Sequence, residues 1–592
     1  MRKLVCALGI VASLLVVVAC GRKPVEPPPT ADAASKRVVN TGEVVGSVGA
    51  YDNHVWRGLP FAKAPTGDLR WSAPRPPEPW TGTREALASG SACPQFASLI
   101  GGVDAEPGSV IGSEDCLYLN VFAPRFEPAA VPKAGALLPV MFWIHGGGNS
   151  IGQAGTYDGG RIAVSENVVV VATNYRLGPL GWFSNPAVSG PEATPLDLSG
   201  NYGTLDLVRA LAWVRENAEA FGGDPERVTI FGESAGGTNV MSLLLSPLAK
   251  GLFHRAIVQS GGVSNTTVAE ARAGNPDDGP NGSTGSDAIV AKLGDAPRSR
   301  NAEEILRAYP GEVFMGMLSI PTVIRDGVVL PEAEMREAFA RGEYNQVPIV
   351  LGSNRDETKL FIFGDPTLVR RWFGIFPMLR VPEERYQLIS EYGAKAWKAG
   401  GVDSLATVLR AAQGPSVYAY RFDWDEEPTL LFADYGVLLG AAHGFEIPFV
   451  FGHWKLGGAG DRLFDSSNES GREALSAQMR SYWAQFAYTG DPGRGRKSDL
   501  VPWTAWDDST AESPKYIVLD TESDAGVRMS YETYTRERIL AELREDPRLP
   551  TWRDKCGELA GLATFSGYIT PADYAAESGC ADYALATWPW QE

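Results

Sequence analysis

Arg227-Val228-Thr229-Ile230-Phe231-Gly232-Glu233-Ser234-Ala235-Gly236, followed by Gly237 to Leu245, reads as a strand, a sharp turn and a helix. A serine on such a turn stands clear of the sheet that carries the strand. The flanking glycines lack Cβ and let neighbouring backbone approach the strained turn. The Gly-x-Ser-x-Gly pattern is weak by itself: with 66 glycines in 592 residues, chance supplies about 0.5 matches at average serine usage. A second match, Gly148-Asn149-Ser150-Ile151-Gly152, runs on into Gln153-Ala154-Gly155-Thr156-Tyr157-Asp158-Gly159-Gly160. That continuation is loop-like rather than helical. Context therefore selects Ser234.

Other apolar runs surround this turn. Pro139 to Ile144 leads into His145-Gly146-Gly147-Gly148, and Val168 to Ala172 leads into Asn174-Tyr175-Arg176. Asp206 to Phe221 carries a helical apolar stripe ending at Gly222-Gly223-Asp224-Pro225, and further strand-like runs are Ala256–Gln259, Val347–Gly352 and Val417–Phe422. Strands apolar on both faces that alternate with helices imply a doubly wound, mostly parallel sheet with helices on both faces. Reactive groups in such sheets sit at the carboxyl ends of strands. Gly274–Arg300 reads as a surface excursion. Leu360–Asp403, with Phe361, Phe363, Trp372, Phe373, Phe376 and Trp397, reads as an inserted helical cap whose aromatics form its own core.

A serine hydroxyl needs a base to take its proton. The chain has five histidines. His54 precedes the predicted strands, His145 opens the glycine loop, and His254 lies at the wrong end of its strand. His453 follows an aromatic run, whereas His443 follows the last predicted strands. The chain order serine, acid, histidine selects His443. The acid then lies between Ser234 and His443 at a strand end. Asp356 and Glu357 both qualify in Ser353-Asn354-Arg355-Asp356-Glu357, and Asp423, Asp425 and Glu426 are weaker alternatives. His-Gly-Gly-Gly is expected about 0.007 times by chance in this composition. Its amides, with that of Ala235, can converge on an oxyanion.

The ends carry a different signal. Basic Met1-Arg2-Lys3, apolar Leu4–Val18 and then Ala19-Cys20 read as an export leader over residues 1–19. Val17-Val18-Ala19-Cys20 has the form of a bacterial lipobox, with Cys20 the lipidated residue. Residues 20–40 read as a proline-rich tether, 41–548 as the main domain and 549–592 as a C-terminal extension. The expected location is outside the cytoplasm, with membrane contact through the N-terminal lipid only. The net charge is −18, which disfavours nucleic acid as a partner. Of the six cysteines, four lie beyond the leader and Cys20. Three pairings are open. The local one, Cys93–Cys116 and Cys556–Cys580, closes loops of roughly twenty residues each, worth about 3 kcal/mol apiece in the chain-entropy model. Neither pair has C-x-x-C spacing or clustered histidines, so no metal site is expected.

These segments together resemble the type-B carboxylesterase/cholinesterase family, which has the α/β-hydrolase fold. The likeness runs from about Arg57 to Thr504 and includes Arg57-Gly58-Leu59-Pro60-Phe61-Ala62 and Ser113-Glu114-Asp115-Cys116-Leu117-Tyr118-Leu119-Asn120-Val121. Further blocks are Asn174-Tyr175-Arg176, Phe221–Pro225, Gln259-Ser260-Gly261 and His443-Gly444-Phe445-Glu446-Ile447. The resemblance implies a serine carboxylesterase acting through an acyl-enzyme on a small-molecule ester, without cofactor. It assigns Glu357 as the acid and Gly147, Gly148 and Ala235 as oxyanion donors. It gives Glu233 an auxiliary electrostatic role, supports Cys93–Cys116, and implies ion pairs Arg70–Glu114 and Arg176–Asp206. Pro94–Asp115 contains no tryptophan. Cholinesterases place one there to hold choline by cation–π attraction, so choline esters are not the expected substrates. Alternatives are a non-catalytic binding module on this scaffold, or an amidase, carbamate hydrolase or lipase.

Overall fold

The computed structural model describes residues 28–585, apart from 99, 103–104, 107, 191, 264, 276–282, 311–314, 373–375, 457 and 566. The expected leader, Cys20, the first part of the tether, and Phe373 in the cap lie outside the described residues.

Among these residues eleven strands form one sheet. In chain order they are β1 (Ser47–Val48), β2 (Asn53–Pro60), β3 (Tyr118–Pro124), β4 (Leu138–Ile144), β5 (Val169–Thr173) and β6 (Gly223–Glu233). They continue with β7 (Arg255–Gln259), β8 (Ile349–Asn354), β9 (Val417–Phe422), β10 (Tyr516–Leu519) and β11 (Arg528–Ser530). The spatial order is β11-β10-β9-β8-β7-β6-β4-β5-β3-β2-β1. Pairings from β10–β9 through to β4–β5 are parallel. Those at the two ends are antiparallel. The mostly parallel α/β sheet expected from the sequence is therefore present, with antiparallel margins. His54 belongs to β2 and does not precede the sheet. Its Nε2 lies 3.2 Å from Asp32 Oδ2.

The continuous apolar runs have a simple cause. All of β4 and β5 is buried. Along β4, Val140, Phe142 and Ile144 face one core, while Met141 and Trp143 face the other. Successive side chains on a strand point to opposite faces, so a strand covered on both sides needs apolar residues at every position. Helix α1 (Tyr202–Asn217) buries Leu207, Ala210, Leu211 and Val214 in the first core. The second core is closed by a later helix, Glu469–Thr489, through Leu475, Met479, Tyr482, Trp483 and Phe486. Helix α2 (Ala235–Leu245) follows β6 directly and is almost wholly buried.

The segment inserted between β8 and β9 is not purely helical. It holds a short helix Lys359–Ile362, an antiparallel hairpin (Val369–Trp372 with Phe376–Leu379), helix α3 (Glu383–Lys398) and a π-helical turn, Ala399–Asp403. The hairpin strands are too short for their alternation to be read from the sequence. The surface excursion also contains a helix, Ser286–Leu293, which buries Ile289 and Leu293. At the N-terminus, packing begins before residue 41. Ala33–Ser35 forms a 3₁₀ turn, and Arg37–Val39 pairs with Gly42–Val45. The Ser35 hydroxyl accepts from Gly46 N (2.8 Å), and Trp56 Nε1 donates to Ser35 O (2.8 Å).

Both local disulfides, Cys93–Cys116 and Cys556–Cys580, are formed. Arg70 Nε donates to Glu114 Oε2 at 2.6 Å. Arg176 and Asp206 pair at 2.7 Å with both side chains buried. Removing one partner of a buried pair strands the other charge and costs about 3–5 kcal/mol. Arg176→Met is therefore expected to lower the unfolding midpoint in urea, while folded protein keeps its turnover. An unchanged midpoint would show that Asp206 finds solvent or takes a proton.

Candidate active site

Ser234 caps α2 with φ 59° and ψ −125°, a left-handed strain that a non-glycine residue adopts only when its surroundings impose it. The surroundings are backbone. A Cβ on Gly232 would lie 2.6 Å from Gly236 O, and one on Gly236 would lie 2.1 Å from Ile144 O. Neither position admits a side chain, and this close approach pins the turn between β4 and β6. Ser234 N donates to Gln259 O at 2.9 Å.

Glu357 follows β8 and is fully buried. Its Oε1 accepts from Asn354 N (2.8 Å), and its Oε2 lies 2.6 Å from His443 Nδ1. Its neighbour Asp356 is otherwise engaged, pairing with Arg355 (2.9 Å) and Lys359 (3.1 Å) and accepting from Ala441 N (3.2 Å). Asp425 pairs with Arg355 at 2.7 Å, and Asp423 with Arg421 at 2.6 Å. Of the acids that the residues alone left open, Glu357 is the one that touches His443.

The structure brings the imidazole and the acid together but leaves the serine unjoined. Among the described residues no hydrogen bond links the Ser234 hydroxyl to His443. Nε2 lies 3.1 Å from Glu233 Oε1, yet neither atom has an aligned hydrogen-bond partner. Such contacts are often loose without substrate and tighten when it binds.

A third carboxylate lies in the same cluster. Glu446 accepts from Gln259 Nε2 (3.0 Å) and Asn354 Nδ2 (2.6 Å), and Trp483 Nε1 donates to Gln259 Oε1 (3.2 Å). Burial pushes Glu233 up to about 8; Glu446 and Glu357 add to this, and His443 opposes it. Burial disfavours the imidazolium of His443, but Glu233, Glu357 and Glu446 outweigh it and push the group up to about 9. Glu446, Gln259 and Asn354 stand in the quoted sequence blocks, but nothing in those blocks gave them a role.

The glycine loop lies beside the elbow. Gly147 and Gly148 have φ 96° and 59°. A Cβ on Gly147 would lie 2.3 Å from Ile151 O, so the loop conformation requires glycine there. Among the described residues the amides of Gly147, Gly148 and Ala235 donate to no protein acceptor. His145 is a structural residue. Its ring stacks on Tyr175 (4.5 Å), and burial lowers it to about 4, which keeps it neutral. His453 lies 3.0 Å from the Tyr51 hydroxyl, and His254 Nδ1 accepts from Val228 N at 3.2 Å. Ser150, the serine of the second pattern match, sits in a turn and donates to Gly148 O at 3.2 Å.

Two aromatics of the insertion are not cap core. The rings of Phe361 and Trp397 lie 5.2 and 4.9 Å from the His443 imidazole and stack on each other at 5.9 Å. Their destination was hidden because nothing in the local sequence distinguishes them from the other aromatics of the insertion.

The carboxylesterase family model matches residues 34–370 and 382–538. The para-nitrobenzyl esterase of Bacillus subtilis is 35% identical over 79% of this chain and 91% of its own length. Human cocaine esterase is 34% identical over 84% of this chain and 89% of its own length. Among solved structures, a Geobacillus stearothermophilus carboxylesterase superposes with a TM-score of 0.64 at 31% identity, covering 85% of this chain and 99% of that one. A strained serine elbow, a buried Glu–His pair and a glycine loop with free amides thus coincide with a match over most of the chain: this protein belongs to the carboxylesterase family and is a carboxylic ester hydrolase with the α/β-hydrolase fold.

Proposed function

We propose that Ser234, His443 and Glu357 are the catalytic triad of this hydrolase. Ser234 attacks the ester carbonyl while His443 Nε2 takes its proton, and Glu357 holds the imidazole and stabilises the imidazolium. The amides of Gly147, Gly148 and Ala235 receive the oxyanion. His443 returns the proton to the departing alcohol, leaving the acyl group on Ser234. Water, deprotonated by the same histidine, then releases the acid. The 2.6 Å contact between His443 Nδ1 and the buried Glu357 carries this reading, because it leaves Nε2 as the ring nitrogen available to the nucleophile. Treatment with an organophosphate should label Ser234 alone and abolish turnover. Turnover that survives treatment, or label on another residue, would remove Ser234 as the nucleophile.

A base must be neutral to accept the serine proton. With His443 raised to about 9, hydrolysis is expected to accelerate as pH climbs from neutrality towards that value. Glu233→Gln removes a carboxyl whose ionised form holds the proton on the ring, so the acid limb of kcat/KM should move to lower pH. A limb that stays in place would exclude Glu233 as a tuning group.

We also propose that Cys20 is lipidated and tethers the enzyme to a bacterial membrane outside the cytoplasm. Support comes from the leader and lipobox pattern. No helix among the described residues is long and apolar enough to cross a membrane. Cys20→Ala should abolish labelling by radioactive palmitate, and persistent labelling would refute the anchor.

A further inference from the structure

Residues beyond 538 fall outside the family match, and they pack on the back of the element that touches His443. Two helices lie there, α4 (Arg536–Glu545) and α5 (Trp552–Phe565), with the Cys556–Cys580 bridge. Leu388, Tyr392, Ala396 and Ala399 recur at helical spacing along and just past α3, and they are buried in one cluster with Cys556, Leu559, Ala560 and Cys580. Arg385 reaches from α3 to the buried Glu558 of α5 at 2.9 Å. Trp397 leaves that stripe and lies against the His443 ring.

The π-helical turn Ala399–Asp403 comes next. Lys398 and Asp403 close it as a buried pair at 2.5 Å. A Cβ on Gly400 would lie 3.1 Å from the Tyr568 ring, so that ring rests on the turn. Arg336 donates to Gly400 O (2.6 Å) and Ser404 Oγ (2.7 Å), with its guanidinium 6.0 Å from the centre of the Tyr568 ring. On the far side, a Cβ on Gly401 would lie 2.7 Å from Gly261 O, and one on Gly261 would lie 2.7 Å from the carbonyl carbon of Gly237 in α2. Packing thus runs unbroken from Tyr568 through the turn to the nucleophile helix, and from α5 through α3 to His443. A close-packed interior transmits displacement rather than absorbing it, and π turns inside helices recur at functional sites.

We propose that the C-terminal segment is a positioning element for hydrolysis, with Tyr568 and the Cys556–Cys580 bridge holding the π turn, Trp397 against His443, and Gly261 against the nucleophile helix. The role rests on Ser234 and His443 being the reacting pair. Misplacing a reacting group by about 1 Å can cost about 10²-fold, and loosening this buttress is expected to cost about tenfold.

The test uses the full chain as wild type, Tyr568→Ala, Tyr568→Phe and the double variant Cys556→Ser/Cys580→Ser. Stoichiometric phosphonylation of Ser234 counts competent sites, so an unfolded fraction does not enter the rate. With p-nitrophenyl butyrate, kcat per titrated serine should fall about tenfold in Tyr568→Ala and in the double variant, with KM within about threefold. Tyr568→Phe should behave as wild type, because ring packing is what matters. If both damaging variants stay within about twofold of wild type in kcat per site, whatever their melting temperatures, the segment is only structural and the proposal falls. It falls equally if Tyr568→Phe is as slow as Tyr568→Ala. If the double variant does not fold, the Tyr568 pair decides. A wild-type protein that neither hydrolyses the ester nor takes up phosphonate refutes the site itself rather than this role.

Discussion

Ser234→Ala is expected to lower kcat by about 10⁶-fold, the scale seen when the nucleophile of a serine triad is removed. What remains is the catalysis of the oxyanion amides and of substrate positioning, about 10³–10⁴ over water. Stability should barely move. The hydroxyl makes no hydrogen bond to the protein among the described residues, and alanine keeps the Cβ that the strained φ of 59° already accommodates. Such a change stays within about 0.5 kcal/mol. Turnover of p-nitrophenyl butyrate and a thermal scan on one preparation check both halves. Retention of more than a few per cent of wild-type kcat would mean that another group attacks the ester.

Glu357→Gln is the second large effect. The amide has nearly the size of the carboxylate, so the packing survives. The charge that stabilises the imidazolium is lost, and an amide N–H₂ turned to Nδ1 selects the tautomer with the proton on Nε2, which cannot accept from serine. A loss of about 10⁴ in kcat is expected, as for the equivalent change in a serine protease triad. Asp356→Asn provides the contrast. Its carboxylate serves Arg355, the buried Lys359 and Ala441 N, so the cost should appear in the unfolding midpoint, with kcat within several-fold of wild type. Reversed outcomes would move the acid from Glu357 to Asp356 and overturn the assigned triad.

The contrast between these adjacent carboxylates marks how far the sequence could be read. Spacing placed both at the end of β8 and could not separate them; resemblance to the family chose Glu357. In the structure their surroundings differ. One side chain is drawn into a buried site with His443, while the other is held by two cations that lie one and three residues away. His443 was legible from chain order because the other histidines preceded the predicted strands, stood at a strand's wrong end, opened the glycine loop or followed an aromatic run. The roles of Glu446, Gln259 and Asn354 were not legible. Each depends on a partner more than ninety residues away, and no local pattern records such a contact. The aromatics of the insertion show the same limit. Phe361 and Trp397 reach His443, whereas Trp372 lies exposed in a hairpin that the sequence did not announce.

By itself, the sequence determined the parallel sheet, the serine elbow and the glycine loop. All of these follow from backbone needs and periodicities expressed within a few residues or along a single strand. The tertiary structure decided which way the side chains beyond the strand ends turn: Glu357 inward, Asp356 to its cations, Trp397 onto the imidazole, and the C-terminal helix onto the back of α3. Those choices depend on burial and charge contributed by residues far apart in the chain, and only folding brings them into contact.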